Sequence, residues 1–117
     1  MFTQIVAQNS TIAQAARRFA ANYPELAHKC NGRIERAQSI ATAGYVFIAS
    51  DRRMAYVLSP ASDCTFQVGR GIFGQWSACD CPDNAKRANT CQHILAAEFA
   101  EQARALELRA LIDQAED

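Results

Sequence analysis

The apolar positions of residues 10–21 recur at helical spacing, in a stretch rich in alanine. Their shared stripe consists of Ile12, Ala16 and Phe19. Asn9 or Ser10 is suited to the N-cap, because a short polar side chain can accept a hydrogen bond from the first free backbone N–H groups. The pattern therefore predicts a first helix over residues 10–21.

A second helical pattern runs from Pro24 to about Ala43. Proline suits the first turn of a helix, where its missing N–H is not needed. Asn31-Gly32 is a weak point at which this segment can divide into two helices. Gly44 stands where a helix C-cap glycine is expected. The first 43 residues are thus predicted to be helical.

The pattern changes after Gly44 to short runs rich in β-branched and aromatic residues. Three such runs occupy residues 45–50, 54–59 and 64–68, and polar turns separate them. A glycine-rich turn then leads to a fourth short run at residues 75–79. These runs predict three or four antiparallel strands in a small meander.

The segment after His93 has an uninterrupted helical pattern from Ile94 to Gln114. Its apolar positions are Ile94, Leu95, Phe99, Leu106 and either Leu108 or Leu111. The whole order predicts an α+β fold with N-terminal helices, a small antiparallel sheet and a long C-terminal helix. We expect a single domain over 1–117, with a helical part at 1–43 and the strands, metal ligands and last helix at 44–117.

Composition agrees with one small domain. The chain has 117 residues, of which 50% are hydrophobic, so one core can form. A domain of this size buries only about 60–70% of the surface that its unfolded chain exposes, so an additional cross-link would help its stability.

The charges balance overall but are unevenly placed. Twelve basic and twelve acidic residues give a formal net charge of zero, which argues against a strong nonspecific nucleic-acid binder. Residues 1–87 carry ten Lys/Arg and six Asp/Glu, a net of +4, whereas residues 88–117 carry two against six, a net of −4. The basic part can contact a polyanion on one face, although ordinary solvated faces are the simpler interpretation.

The chain shows no membrane or export signal. No apolar run approaches the ~20 residues needed to cross a bilayer, and the start "MFTQIVAQNS" lacks the basic and long apolar regions of a signal peptide. We therefore expect a cytoplasmic protein without membrane contact. In a reducing compartment, closely spaced cysteines indicate metal binding rather than disulfides.

Four metal-ligand residues lie within 15 positions, in the spacing C-x-C-x9-C-x-H: Cys79, Cys81, Cys91 and His93. Three thiolates and one imidazole form a complete tetrahedral set for one structural Zn²⁺. Cys79 and Cys81 can share one side of an extended segment, with Asp80 pointing away. Cys91 and His93 are about 200° apart on a helix, so the pair must straddle a helix start. The zinc site is thus predicted to join the sheet to the last helix.

The sequence leaves two alternatives open for these residues. The cysteines can be small buried side chains beside a surface histidine, or Cys79 and Cys81 can form a redox dithiol. The matching C-x-H pair favours metal binding over buried cysteines and over a redox dithiol. We expect Cys30 and Cys64, which lack a second ligand pair, to be core residues.

The C-x-C-P…C-x-H pattern followed by "ILA" resembles the SWIM zinc finger. Its four ligands match residue by residue, and Pro82 matches the proline that often follows C-x-C. The upstream run "CTFQV" is similar to a strand of that family, with Phe66 in the aromatic place. The motif core covers residues 65–100, and residues 1–22 are an addition without an assigned role. The family is found in small stand-alone bacterial and phage proteins, which suggests a phage or mobile-element origin.

The resemblance implies a binding module in DNA transactions, acting through nucleic acid or through a DNA-processing protein complex. Candidate contact residues are Arg52, Arg53, Arg70, Trp76, Lys86 and Arg87. For Trp76, a place in the core or over the zinc is favoured over contact with a partner. The alternative is a protein-interaction adapter or inhibitor that touches no nucleic acid, and the last helix can pair with itself in a homodimer.

Enzymatic activity is not expected. The sequence contains no phosphate-binding P-loop, dinucleotide fingerprint, metalloprotease helix or hydrolase nucleophile elbow. Gly69, Gly71 and Gly74 have the spacing of a dinucleotide loop, but the following sequence is not helical. Four good ligands also close the zinc, whereas a catalytic zinc needs an open position.

Overall fold

A five-stranded antiparallel sheet forms one layer of the protein. The computed structural model describes residues 1–30, 32–59, 63–82 and 90–115. The strands lie side by side in chain order: β1 (Phe2–Gln4), β2 (Val46–Ala49), β3 (Met54–Ser59), β4 (Cys64–Arg70) and β5 (Trp76–Cys79). The last four strands form the predicted meander, and their bounds lie within two residues of the predicted ones.

The first strand, β1, adds a fifth member that the sequence pattern did not predict. It pairs antiparallel with β2, with Thr3 opposite Ile48. The Gln4 side chain donates a hydrogen bond to the carbonyl oxygen of Gly44 at 2.7 Å, and the backbone N–H of Ile5 donates to the carbonyl of Val46 at 2.8 Å. These contacts join residues about forty positions apart in the sequence, so no local pattern predicts this strand.

The second layer contains four helices among the described residues: α1 (Asn9–Asn22), α2 (Pro24–Lys29), α3 (Arg33–Thr42) and α4 (Gln92–Ala115). Helix α4 packs on strands β2 to β5, and α1 and α3 pack on α4. The predicted second helix is divided at the expected weak point, where Gly32 adopts a left-handed conformation with φ of +78°. Gly44 is also left-handed, with φ of +76°, and its N–H and that of Tyr45 bond back to the end of α3. Both glycines therefore provide turns that residues with a Cβ rarely adopt.

One hydrophobic core lies between the two layers. Burial alternates along β2 and β3, as expected for a sheet with one covered face. Residues from the first 43 positions and from the later part of the chain belong to the same cluster, among them Ile12, Ala37, Val46, Val57, Val68, Leu95 and Phe99. Phe99 is fully buried and meets the ring of Phe19 edge to face, with centroids 5.6 Å apart. Helix α4 therefore contacts α1 and the sheet through the same buried segment.

Helix α4 continues well past this core. Its 24 residues extend about 36 Å, whereas the longest strand, with seven residues, extends about 23 Å. Its first half buries nearly every position up to Ala103, but from Arg104 to Ala115 all residues are exposed except Leu106 and Glu107, which are half-buried. The predicted apolar positions are therefore buried only at its start. Leu108 and Leu111 are exposed because the described sheet ends before the helix does.

The fold is the predicted α+β class: N-terminal helices, an antiparallel sheet and a long C-terminal helix, with a cluster of cysteine and histidine side chains between sheet and helix. No helix in the described residues is both long and apolar enough to span a membrane.

Candidate metal centre

The four predicted ligands come together at one end of the sheet. Cys79 is the last residue of β5, and Cys81 follows two positions later. Cys91 directly precedes α4, and His93 lies in the first turn of that helix. All four side chains are buried, and their ligand atoms lie within 4.8 Å of one another. The site therefore joins the end of the sheet to the start of the last helix, as predicted.

The distances between ligand atoms fit a tetrahedral metal site. Cys79 Sγ and Cys91 Sγ each lie 3.8 Å from His93 Nδ1. With metal–sulfur bonds near ~2.3 Å and metal–nitrogen bonds near ~2.0–2.1 Å, adjacent ligands of a tetrahedral zinc are about 3.5–3.8 Å apart. Nδ1 is thus the imidazole atom directed at the sulfurs. These residues fit one metal ion without rearrangement of their backbone.

Local backbone structure directs the two cysteines of the C-x-C pair. Asp80 is exposed and faces away from the cluster, as predicted. Its N–H donates to the carbonyl of Gln67 at 3.2 Å, and its Oδ1 accepts from the N–H of Gln67 at 2.9 Å. These two bonds continue the pairing of β4 and β5 past Cys79. Cys79 and Cys81 consequently share one side of an extended segment.

The start of α4 directs the other pair. The carbonyl oxygen of Cys91 accepts a hydrogen bond from the N–H of Leu95 at 3.2 Å, which places Cys91 at the N-cap. His93 is then two positions into the first turn. Because a helix start departs from regular helical rotation at the cap, both side chains can face the same point. This is the arrangement that the two-residue spacing required.

The helix start also favours a thiolate. The pKa of Cys91 is lowered to about 4, chiefly because the Cys79 thiol donates a hydrogen bond to its sulfur, with further contributions from His93 and the backbone N–H of Ile94. The pKa of Cys79 is raised, because it is the proton donor in this pair and because it is buried. Negative charge on Cys91 is thus stabilised mainly by its hydrogen bond with Cys79, and the backbone N–H of Ile94 at the helix start makes a smaller contribution.

The imidazole is held by an aromatic ring. The rings of Phe66 and His93 have centroids 4.3 Å apart and an interplanar angle of 30°. His93 Nε2 is buried and has no hydrogen-bond partner in the described part of the protein. A ligating histidine usually donates its second N–H to an oxygen atom that fixes the ring. Here the ring of Phe66 packs on the imidazole, a contact that the position of Phe66 in the sequence did not reveal.

Two of the candidate contact residues belong instead to the junction between sheet and helix. Trp76 is only 5% exposed, and its Nε1 donates to Glu101 Oε1 at 3.3 Å. The Arg70 guanidinium lies 4.0 Å from the centre of the Trp76 ring and forms an ion pair with Glu101. Trp76 therefore presents no surface to a partner, and its core role is the one that the structure supports. Arg70 is largely engaged within the protein.

The remaining candidates differ in position. Arg52 and Arg53 are exposed in the turn between β2 and β3, where Arg52 adopts a left-handed conformation with φ of +62°. Lys86 and Arg87 lie outside the described residues. Cys30 is buried as predicted, but Cys64 is exposed at the start of β4, so its predicted core role is wrong. Cys64 lies on an end of a strand that no described helix covers.

Comparisons with protein-family models, with curated proteins and with solved structures found no match for this chain. The resemblance to the SWIM finger therefore depends on the residues of the chain itself.

Removal of one ligand is expected to disrupt the junction. In Cys91→Ser, a metal-binding stoichiometry near zero and a loss of several kcal/mol of stability are expected, because structural zinc contributes ~10–16 kcal/mol of apparent binding free energy in small fingers. Elemental analysis and urea unfolding measure both quantities. Cys64→Ser, which changes an exposed cysteine outside the cluster, should keep the wild-type values. Equal metal content in Cys91→Ser and wild type would contradict the assignment.

Whether Phe66 orients His93 can be measured separately. Phe66→Ala removes the ring that packs on the imidazole, and we expect metal affinity to fall by about 10- to 100-fold, as for other residues that orient a ligand. Competition with a chromophoric chelator gives the affinity. Phe66→Tyr keeps the ring and should stay close to wild type. A Phe66→Ala variant with unchanged affinity would show that His93 is oriented without it.

Proposed function

We propose that the cluster binds one structural Zn²⁺. Three thiolates and one imidazole suit zinc better than magnesium, calcium or manganese, which prefer oxygen ligands. Four protein ligands complete a tetrahedral zinc, and the burial of all four side chains supports a closed site. A closed site has no position for an attacking water or a substrate, so the metal is proposed to be structural and the protein non-enzymatic.

The position of the proposed metal indicates how it would stabilise a domain of this size. The four ligands connect β5 to α4, and α4 supplies Leu95, Phe99 and Ala103 to the core. A total stability of ~5–15 kcal/mol is typical for a domain, so a contribution of ~10–16 kcal/mol from zinc would decide whether this half folds. The metal is thus proposed to maintain the surfaces that the sheet and helix display.

We further propose that the protein is a SWIM-type binding module that acts in DNA transactions, by contact with nucleic acid or by recruitment to a DNA-processing complex. The observation that carries this proposal is the convergence of the C-x-C-P…C-x-H ligands at the junction of a small antiparallel sheet and a helix. The exposed pair Arg52 and Arg53 offers phosphate contacts. A phage or mobile-element setting and a cytoplasmic location belong to the same proposal.

A second candidate function is a protein-interaction adapter that pairs with itself. Leu108, Leu111 and Ile112 are 42%, 57% and 54% exposed on the part of α4 beyond the core. Their spacing of three and four residues places them on one side of the helix. Arg104, Glu107, Arg109 and Asp113 surround them with charges of both signs. An apolar helix face with balanced charge favours a homodimer through α4.

The nucleic-acid proposal is tested by the salt dependence of binding. The zinc-loaded protein should bind fluorescein-labelled DNA, single-stranded or duplex, near physiological salt in an anisotropy titration. Arg52→Ala/Arg53→Ala and Lys86→Ala/Arg87→Ala should each weaken binding and flatten the slope of log K against log salt, by about 0.7–0.9 for every phosphate that the variant no longer neutralises. Arg17→Ala/Arg18→Ala, with the same change in charge on exposed positions of α1, is the control. No binding by the wild type would count against nucleic-acid contact.

The dimer is tested by sedimentation velocity over a range of protein concentrations. We expect the wild type to shift from monomer to dimer with rising concentration, and Leu108→Lys/Ile112→Lys to stay monomeric, because lysine places charge on the apolar face. Ala110→Lys adds one such charge about 200° around the helix from Leu108 and should dimerise like the wild type. A wild type that is monomeric at all concentrations would exclude the dimer.

A further inference from the structure

Two large apolar side chains protrude from the turn between β4 and β5. Ile72 is 93% exposed and Phe73 is 86% exposed, more than any other apolar side chain in the described residues except Met1. Scattered single apolar residues are ordinary on protein surfaces. An adjacent pair at the tip of a hairpin is different, since both side chains are presented together to whatever approaches that end of the sheet.

The turn that carries this pair is hydrogen-bonded. The N–H of Gly71 donates to the carbonyl of Gln75 at 2.7 Å, and the N–H of Gly74 donates to the carbonyl of Gly71 at 3.0 Å. Gly74 is left-handed, with φ of +86°, so the turn closes within few residues. The backbone of Ile72 and Phe73 is therefore held at the tip of the turn, so a partner would meet both side chains on a preformed turn.

Two exposed arginines lie at the same end of the sheet. Strands β2 and β4 run in the same direction, since both are antiparallel to β3, so the turns that follow them lie side by side. The N–H of Arg70 donates to the carbonyl of Arg53 at 3.0 Å, which joins the turn after β2 to the end of β4. Arg52 and Arg53 thus lie at the same end of the sheet as Ile72 and Phe73. We call these four residues the hairpin end.

Charge around the hairpin end favours an anionic partner. Asp51 is the nearest acidic residue in sequence, and its Oδ1 accepts the N–H of Arg53 at 3.0 Å. Glu101 is paired with Arg70. The Arg52 and Arg53 side chains are exposed, and no described ion pair involves them. A partner that has anionic groups beside flat apolar ones would match both halves of the hairpin end.

We propose that the hairpin end binds single-stranded nucleic acid, with Phe73 and Ile72 against unpaired bases and Arg52 and Arg53 at phosphates. This proposal deepens the proposed nucleic-acid function, on which it rests. Aromatic side chains stack on bases of any sequence, and arginines follow the backbone. Only the two arginines of the hairpin end can contact phosphates, and the chain has a formal net charge of zero. Contacts with the bases must therefore supply much of the affinity. Insertion into a duplex would require the unstacking of paired bases, whereas bases of a single strand are already accessible.

The aromatic surface continues on the open face of the sheet. Phe2 is 43% exposed on β1, and its ring meets Tyr56 edge to face with centroids 4.6 Å apart. Phe47 lies opposite Tyr56 in the register of β2 and β3. No described helix covers this face, and aromatic side chains on an open antiparallel sheet are a recurrent platform for bases. A single strand of nucleic acid that leaves the hairpin end can therefore continue across the sheet toward β1. This distance is roughly 19 Å, at about 4.8 Å between neighbouring β-strands.

The hairpin end is also remote from the metal centre. The ligands lie where β5 ends, and the turn with Ile72 and Phe73 lies where β5 begins. Substitutions at four exposed residues of the turns should therefore leave the core and the metal unchanged. This separation allows a loss of binding to be distinguished from a loss of folding.

The experiment measures binding of the full-length zinc-loaded protein to labelled oligothymidine of about 20 nucleotides, a length that covers the usual site sizes of single-strand binders. We expect Ile72→Ser/Phe73→Ser to weaken binding by about 5- to 150-fold, the range for loss of one stacked base. Its salt slope should equal that of the wild type, because no charge is removed. Arg52→Ala/Arg53→Ala should lower the slope by about 1.4, at about 0.7 for each phosphate of a single strand.

Matched variants complete the design. Phe73→Trp keeps an aromatic ring at the tip of the turn, so its affinity for oligothymidine should stay close to that of the wild type. The emission of its new indole should be quenched on binding. Val6→Ser removes an exposed apolar side chain outside the surfaces proposed for binding, and Arg17→Ala/Arg18→Ala removes two exposed charges from α1. Both should bind like the wild type. Zinc content and thermal unfolding of every variant should match the wild type.

The outcomes separate this inference from the proposed function. If the wild type binds DNA and Ile72→Ser/Phe73→Ser binds equally well, the hairpin end is not the contact surface, but the nucleic-acid function stands. Preference for duplex over oligothymidine would also overturn the inference alone. If the wild type binds no nucleic acid, both fail. A further outcome is binding to phosphatidylcholine/phosphatidylserine vesicles that is lost in Ile72→Ser/Phe73→Ser, without binding to DNA. This result would identify the hairpin end as a membrane-binding surface and overturn the inference.

Discussion

The convergence of three sulfurs and one imidazole nitrogen between β5 and α4 is the constraint on which the rest of the structure depends. This cluster fixes the start of the helix that provides Leu95 and Phe99 to the core, and it fixes the end of the last strand. In a domain that buries only about 60–70% of its unfolded surface, few other contacts have a comparable magnitude. With the proposed metal bound, the folding of the second half of the chain would be coupled to the chemistry of these four side chains, because metal ligands must be deprotonated and close together at the same time.

A second junction between sheet and helix supports the first. The guanidinium of Arg70, the ring of Trp76 and the carboxylate of Glu101 connect β4, β5 and α4 through a cation–π contact, a hydrogen bond and an ion pair. The metal centre lies near the end of β5, whereas this network lies near its beginning. Because the helix is held at both points, the exposed turns beyond Arg70 project from a supported frame. Sites on rigid elements keep their geometry when a partner binds.

Under the proposed function, this organisation would separate stability from recognition along the length of the sheet. The end that contains the cysteine and histidine cluster is buried, and its side chains lie close to one another. The opposite end exposes arginines and apolar side chains in two short turns. The far part of α4 exposes a further apolar face. In small domains there is too little interior to hide functional groups, so recognition is confined to positions whose substitution does not alter the core.

The sequence by itself determined the ligand set, the class of fold and most of the element bounds, since helical and alternating periodicities, the glycines at positions 32 and 44 and the C-x-C and C-x-H spacings are local signals. Only the tertiary structure decided the fifth strand, the packing of Phe66 on His93, the burial of Trp76 and the exposure of Leu108, Leu111 and Cys64. Each of these depends on contacts between distant segments. Strand β1 pairs with a strand about forty residues away, and α4 extends beyond the sheet that would otherwise cover its apolar residues. Periodicity shows which side chains are apolar, but the lengths and positions of neighbouring elements decide which of them are covered.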